Sequence, residues 1–272
     1  MPLTTRTVCR VTVAAGWLCC VAASNVRPAI AQSPQAASIT SASGWIGQER
    51  RIEDYLRTAE VARIEEIGTG VTRPRRAYLA PGGPFGSLTW KVLPPGRRGG
   101  HWESYKSEVA AYELDKLLGM GMVPPAVERQ IEGDTGAAVM WVDGVRSVKQ
   151  MGGKVPSGPD WGRPLRKMLM FDALIANDDR NAGNILVGQP GELILIDHSR
   201  AFITDLDLRK FERVDAELWD RMKALTLADL TRVLQPWLDP QAINAIVERR
   251  NRMVAAVEKL VAKKSPSQVI IP

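Results

Sequence analysis

The stretch "FDALIANDDRNAGNILVGQPGELILIDHSRAF", residues 171–202, decides how the chain is read. It passes from an apolar run into a polar decapeptide, "NDDRNAGNIL", and then into two short apolar runs split by glycines. Residues 161–176 read as a buried helix. "NILV" and "ELILID" read as the arms of a β-hairpin turning through "GQPG". A four-residue turn over 188–191 would set Val187 opposite Glu192 and, counting back, Asn184 opposite Leu195. Asp197, two residues beyond Leu195, would then project from the face that carries Asn184. Diagonal neighbours on such a ladder stand about 7–8 Å apart at the backbone. Two oxygen-bearing side chains at that spacing can share a hard cation, or two bridged by phosphate. Asp179 sits on the loop that feeds the first arm and is expected to point at the same spot.

Working outward, the preceding half of the chain supplies complementary groups. Lys91 ends the apolar run "SLTWK", which would hold its ammonium at a fixed place. Glu108 lies on the next helical stretch and is expected to pair with it. "IGTGVT", residues 67–72, offers a glycine-bearing turn whose backbone N–H groups could approach phosphate. A carboxylate for an attacking hydroxyl, an amide and a carboxylate for Mg²⁺, and a strand-borne lysine for phosphates are the parts that phosphoryl transfer requires. Catalysis there is chiefly positioning and charge neutralisation. Each part alone has a plainer reading as a solvated charge, a turn or a helix cap. The argument rests on their fixed order. His198 is one of two histidines, and no metal-ligand or triad partner for it stands out.

The organisation predicted around these residues is a helix over 48–63 and strands near 64–67, 75–79 and 87–93. A helix over 101–118 is stopped by Gly119, and a hairpin turns through "EGDTG". Helical sequence then runs from 205 to 264, broken by Pro236 and Pro240. This order predicts an α+β, two-lobed fold. A small β-sheet-plus-helix N-lobe would span 48–143 and a mainly helical C-lobe 144–272, with the ligand in the seam near Asp143 and Gly144.

The 272-residue chain carries a net charge of +6, but Arg6, Arg10 and Arg27 account for half of it, leaving 33 basic against 30 acidic side chains after residue 31. That balance gives no case for nucleic acid. Residues 1–31 read as a signal peptide. Two arginines precede the apolar run 11–23, which is too short to span a bilayer, and small-residue cleavage sites follow at Ala31 and Ala23. All three cysteines, Cys9, Cys19 and Cys20, fall in this segment, so the mature chain is expected to carry no disulfide, thiolate metal site or cysteine nucleophile. Residues 32–47 read as a disordered lead-in. The expected location is secreted or periplasmic, with no transmembrane segment in the mature chain.

"FDALIANDDRNAGNILV" with "GELILIDHSRAF" resembles the catalytic and metal-binding segments of the phosphatidylinositol 3-/4-kinase-like superfamily of atypical kinases. "SEVAAYELDKLLGMGMVPPAVER" resembles the helix and following strand of secretory-pathway kinases of the four-jointed type. The resemblance covers about half the chain and implies a kinase using ATP with Mg²⁺ or Mn²⁺. It implies Asp179 as catalytic aspartate supported by Arg180, Asn184 and Asp197 as metal ligands, and Lys91 with Glu108 as the phosphate-binding pair. Gly68, Gly70 and Thr72 would cover the nucleotide, and Met140, Trp141 and Val142 would form the hinge beside the base. The acceptor implied is a hydroxyl, with a protein or glycan favoured over an inositol lipid because acids follow Asp197. Three departures from the family pattern stand out, none of which removes a metal ligand or the base: Asn181 stands where a histidine is common after "DR", Ser199 stands at the glycine of the usual "DFG"-like turn, and the disulfides of animal secretory kinases are absent. A catalytically inactive nucleotide-binding pseudokinase, or transfer of AMP instead of phosphate, remains the alternative.

Overall fold

In the computed structural model, residues 44–68, 73–209 and 211–272 are described. The expected signal peptide and residues 32–43 of the lead-in lie outside the described residues, while residues 44–47 form a turn whose Trp45 is buried in the core rather than disordered. The first element is helix α1, Glu49–Thr58, followed by strands β1 (Val61–Glu66), β2 (Arg75–Leu79) and β3 (Ser87–Lys91). A short hairpin, β4 (Gly96–Arg98) and β5 (His101–Glu103), leads into α2 (Lys106–Leu118). Strands β6 (Ala126–Ile131) and β7 (Asp134–Met140) complete a five-stranded antiparallel sheet in the order β1-β2-β3-β7-β6.

Strand alternation divides this sheet into two working faces. Leu88 and Trp90 of β3, with Ala77, Ala138 and Val127, pack against Trp45, Ile52 and Leu56 of the α1 region. Thr89 and Lys91 therefore project from the opposite face, which α2 covers in part through Val109 and Tyr112 packed in one cluster with Ala137 and Val139. Gly136 lies at a close crossing: a Cβ there would come within 2.3 Å of the Lys91 carbonyl oxygen.

The second lobe is built on helix α3, Gly162–Ile175, which is buried along its C-terminal half. Strands β8 (Arg146–Ser147), β9 (Ile185–Val187) and β10 (Leu193–Leu195) form a small sheet beside it. Then follow β11 (Val214–Asp215), α4 (Ala216–Ala224), α5 (Leu227–Leu234) and α6 (Pro240–Lys263). After α7 (Pro266–Val269), β12 (Ile270–Ile271) pairs in parallel with β11. Arg249 of α6 is fully buried and donates to the carbonyls of Leu174, Ile203 and Asp205 at 2.7–2.8 Å, tying α3 to the segment that leaves the small sheet. The fold is two-lobed and α+β, as the element order predicts.

Several boundaries differ from the sequence expectation, each for a local reason. The first helix ends at Thr58, because Val61 to Glu66 pair with β2 and that pairing overrides the helical pattern. The expected helix over 101–118 yields its first three residues to the β4–β5 ribbon, whose turn is made by Gly99 and Gly100 at φ +53 and +86. Two adjacent left-handed glycines are a strong hairpin signal that helical composition obscured. Residues 205–209 and 211–213 are not helical. Pro240 begins α6 rather than breaking a helix: it occupies the first turn, and the Asp239 side chain accepts from Ala242 N at 2.8 Å.

Candidate active site

Lys91 is the centre of the site. Its Nζ lies 2.6 Å from Glu108 Oε1 on α2 and 2.8 Å from Asp197 Oδ1 beyond β10, so one ammonium joins both lobes. Lys91 and Glu108 are almost wholly buried, whereas the Asp197 side chain keeps 26% exposure. Burial opposes charge on Lys91, but the two carboxylates outweigh it and raise the ammonium above its ordinary range. Burial likewise opposes ionisation of Glu108. There the charge of Lys91 and a bond from His198 prevail and hold the carboxyl well below its usual range.

The hairpin bearing the other acids is one residue out of the expected register. Val187 pairs with Leu193 and Ile185 with Leu195, and the turn spans five residues because Gly188 N donates back to Glu192 O at 3.1 Å. Asn184 consequently bonds across to Ile196, whose N–H donates to its carbonyl at 3.2 Å, and not to Leu195. Strict alternation would then turn Asp197 away from the face of Asn184. The strand ends at Leu195, however, and Asp197 adopts a left-handed backbone at φ +59 that re-aims its side chain onto Lys91. Aspartate is among the few residues that tolerate this conformation.

Arg180 locks the decapeptide to that strand end. It is buried, meets Asp172 of α3 through Nε and Nη2 at 3.0 and 2.9 Å, and donates from Nη1 to the carbonyls of Asn184 and Ile196. Its Nη2 also lies 2.9 Å from His198 Nε2. An arginine can only donate, so Nε2 accepts and the histidine proton resides on Nδ1, which faces Glu108 Oε2 at 3.7 Å. Burial pushes the imidazole below its ordinary range, partly offset by Glu108, and keeps it neutral. The His198 backbone N–H donates to the same Glu108 oxygen at 3.0 Å. His198 thus connects Glu108 to Arg180, a role invisible in sequence because its partners lie 90 and 18 residues away.

Asp179 is half-exposed. Its backbone N–H reaches Asn177 Oδ1, its Oδ1 accepts weakly from Asn181, and its carbonyl accepts from Asn184 Nδ2 at 2.9 Å. That last bond spends the amide nitrogen of Asn184 and leaves its Oδ1 for another ligand. Asp197 Oδ1 accepts from Lys91 and from Ser199 Oγ, leaving Oδ2. Each of these oxygens is hard, of the kind that binds Mg²⁺ or Mn²⁺ alongside phosphate and water. Among the described residues no three His, Cys, Asp or Glu side chains cluster as a metal cage. A residue that sequence reasoning missed, Arg200, forms a second bridge between the lobes: it donates to Glu103 Oε1 at 2.8 and 2.9 Å and stands 3.6 Å from Asp179 Oδ2.

Lys91 therefore touches both Glu108 and Asp197, Asn184 bonds the backbone of Asp179, and Arg180 joins Asn184 to Glu108 by way of His198. Met140, Trp141 and Val142 line a different space, a cavity of about 480 Å³ between the 80–86 turn and residues 140–144, whose lining includes none of those six residues. Gly68 is left-handed at φ +70, whereas Gly70 and Thr72 lie outside the described residues.

No protein-family model and no curated protein matches the chain. Its fold does match solved structures. A hydra Fam20 structure with sugar superposes with a TM-score of 0.66 at 18% identity, over 83% of this chain and 92% of that one. A Golgi casein kinase with Mn/ADP bound gives 0.64 at 15% identity, over 83% and 79%. The chain thus has a kinase-like fold. These matches do not support its assignment to the phosphatidylinositol 3-/4-kinase-like superfamily.

Proposed function

We propose that the protein is an exported kinase-like phosphotransferase that moves the γ-phosphate of ATP to a hydroxyl group of a protein or glycan. The observation that carries this reading is Lys91 held between Glu108 and Asp197 at 2.6 and 2.8 Å. A scaffold has no need for a buried cation shared by two lobes and held between two carboxylates. Asp179 accepts the proton of the acceptor hydroxyl as its oxygen attacks the γ-phosphorus. The bond to the β-phosphate oxygen breaks and ADP leaves. Lys91, oriented by Glu108, holds the phosphates, and Arg180 keeps the loop of Asp179 against Asn184 and Ile196. Mg²⁺ or Mn²⁺, held through Asn184 Oδ1 and Asp197 Oδ2, would neutralise phosphate charge. The Golgi casein kinase structure with Mn/ADP is in keeping with that pairing.

One observation favours the non-catalytic alternative: Asp179 already faces Arg200 and Asn181, so its carboxylate is partly engaged. Thermal stabilisation of the purified protein by ATP with Mg²⁺ or Mn²⁺, alongside phosphate release, separates the readings. Asp197→Ala is expected to abolish the metal-dependent shift. Asp179→Ala is expected to keep it and lose phosphate release by about 10²-fold or more. Nucleotide binding with no phosphate release in the unaltered protein leaves a nucleotide-binding pseudokinase. Equal turnover in Asp179→Ala removes that residue as the base.

A further inference from the structure

The cleft face of the five-stranded sheet carries an unexpected charge. Lys91 and Thr89 share this face, and Arg76 is paired with Thr89 across the β2–β3 ladder, so Arg76 projects from it too. Thr89 pairs in turn with Val139 of β7. One step nearer the chain segment that joins the lobes, Trp141 N donates to Ser87 O at 3.2 Å, which extends the same ladder beyond the end of β7. Trp141 thereby falls on the face of Val139, Thr89 and Lys91. The Arg76 guanidinium lies over the Trp141 ring, 4.0 Å from its centroid, and near the Tyr78 ring at 4.8 Å. It is pinned there by Ser87 Oγ, which accepts from Nε and Nη2 at 3.0 and 2.8 Å, with Asp143 at 3.4 Å. Both Arg76 and Trp141 remain partly exposed.

Trp141 belongs to neither of the hydrophobic clusters that cover the two faces of the sheet, so this pair does not serve the core. It is a flat cation fixed on a flat ring, set along the same sheet face as the lysine that holds phosphate in the reading above. The first two amides of the backbone beside it are already spent. The N–H of Met140 is spent on Pro125 O at 2.8 Å and that of Trp141 on Ser87 O, so Val142 supplies the next amide. We propose that Arg76 and Trp141 form a stacking platform for the nucleotide base, so that the site takes purine nucleoside triphosphates by their faces and binds ATP and GTP alike. This rests on the phosphotransfer reading and extends it to base selectivity. Stacking on an aromatic ring and on a guanidinium is tolerant of base identity because every base has a π-face, and it favours the larger purines. A site that instead bonds the base edge rejects the wrong base strongly, because a buried polar group is left unpaired.

The test is titration of the intact protein, with Mn²⁺ present, by ATP, GTP, CTP and UTP, followed by calorimetry and tryptophan fluorescence. ATP and GTP are expected to bind within about threefold of each other, and CTP and UTP about tenfold more weakly. Arg76→Met keeps the length of the side chain but removes the planar cation. It is expected to weaken both purines by about tenfold and to narrow the purine preference, and Arg76→Lys, a cation without the plane, to recover little of either. Unchanged purine affinity in both variants, or ATP binding thirtyfold tighter than GTP, overturns the platform alone. Failure of all four nucleotides to bind overturns the phosphotransfer reading and the platform with it.

Discussion

Replacing Lys91 with methionine tests the electrostatic centre of the molecule. The substitution keeps the length of the side chain and removes the one cation placed 2.6 Å from Glu108 and 2.8 Å from Asp197. Asp197 retains solvent and Ser199 Oγ, but Glu108 is enclosed and would keep only the His198 N–H and ring as polar partners. Breaking a buried ion pair from one side costs about 3–5 kcal/mol. The surviving His198 bond points to the lower figure, about 3 kcal/mol, or roughly 10 °C in melting temperature for a chain of this size. Urea denaturation at pH 5 and pH 8 gives the decisive reading. In the unaltered protein Glu108 titrates below its ordinary value of 4.5, so its contribution is present above that pH and lost as pH falls through the folded value. Without the ammonium, burial acts unopposed by it and the carboxyl shifts upward. The folded variant then binds an extra proton at low pH and loses stability as pH rises. The gap between the two proteins should widen from pH 5 to pH 8. Lys91→Met combined with Glu108→Gln should recover most of the loss, because no unpaired charge remains. An equal gap at both pH values, or a double variant no more stable than the single one, would refute the account.

Two further outcomes follow from local geometry. Arg180→Lys keeps the charge but not the fork that reaches Asp172, Asn184, Ile196 and His198 together, and should lower stability by about 3 kcal/mol in urea denaturation. Gly136→Ala should destabilise by roughly 1–3 kcal/mol, since its Cβ would meet backbone rather than a flexible side chain, and the Tm of the purified variant measures it.

What the sequence conveyed and what it withheld divide along the range of the interactions. Lys91 at the end of an apolar strand and Glu108 in the first turn of the next helix are 17 residues apart, near enough in the chain for their pairing to be read from element order. The register of the 185–195 hairpin was not readable, because "GQPG" closes equally well as four residues or, with Glu192 recruited, as five. The placing of Asp197 beside Lys91 then depended on a backbone torsion that no periodicity encodes. The Glu103–Arg200–Asp179 bridge joins residues 97 and 21 positions apart, and composition gives no sign of it. Helical composition across 101–118 hid the ribbon made by Gly99 and Gly100, since strand pairing there needs only three residues on each side.

The left-handed backbone at Asp197 also sets a filter on what can stand at that position, separate from any demand for charge. Glycine would accept the torsion freely and asparagine nearly so, whereas valine, isoleucine or threonine would carry steric strain from their branched Cβ. A saturation library read for folded yield alone should therefore retain Gly and Asn at this codon and deplete the β-branched residues. The chain would thus reveal its bend even to an assay blind to chemistry.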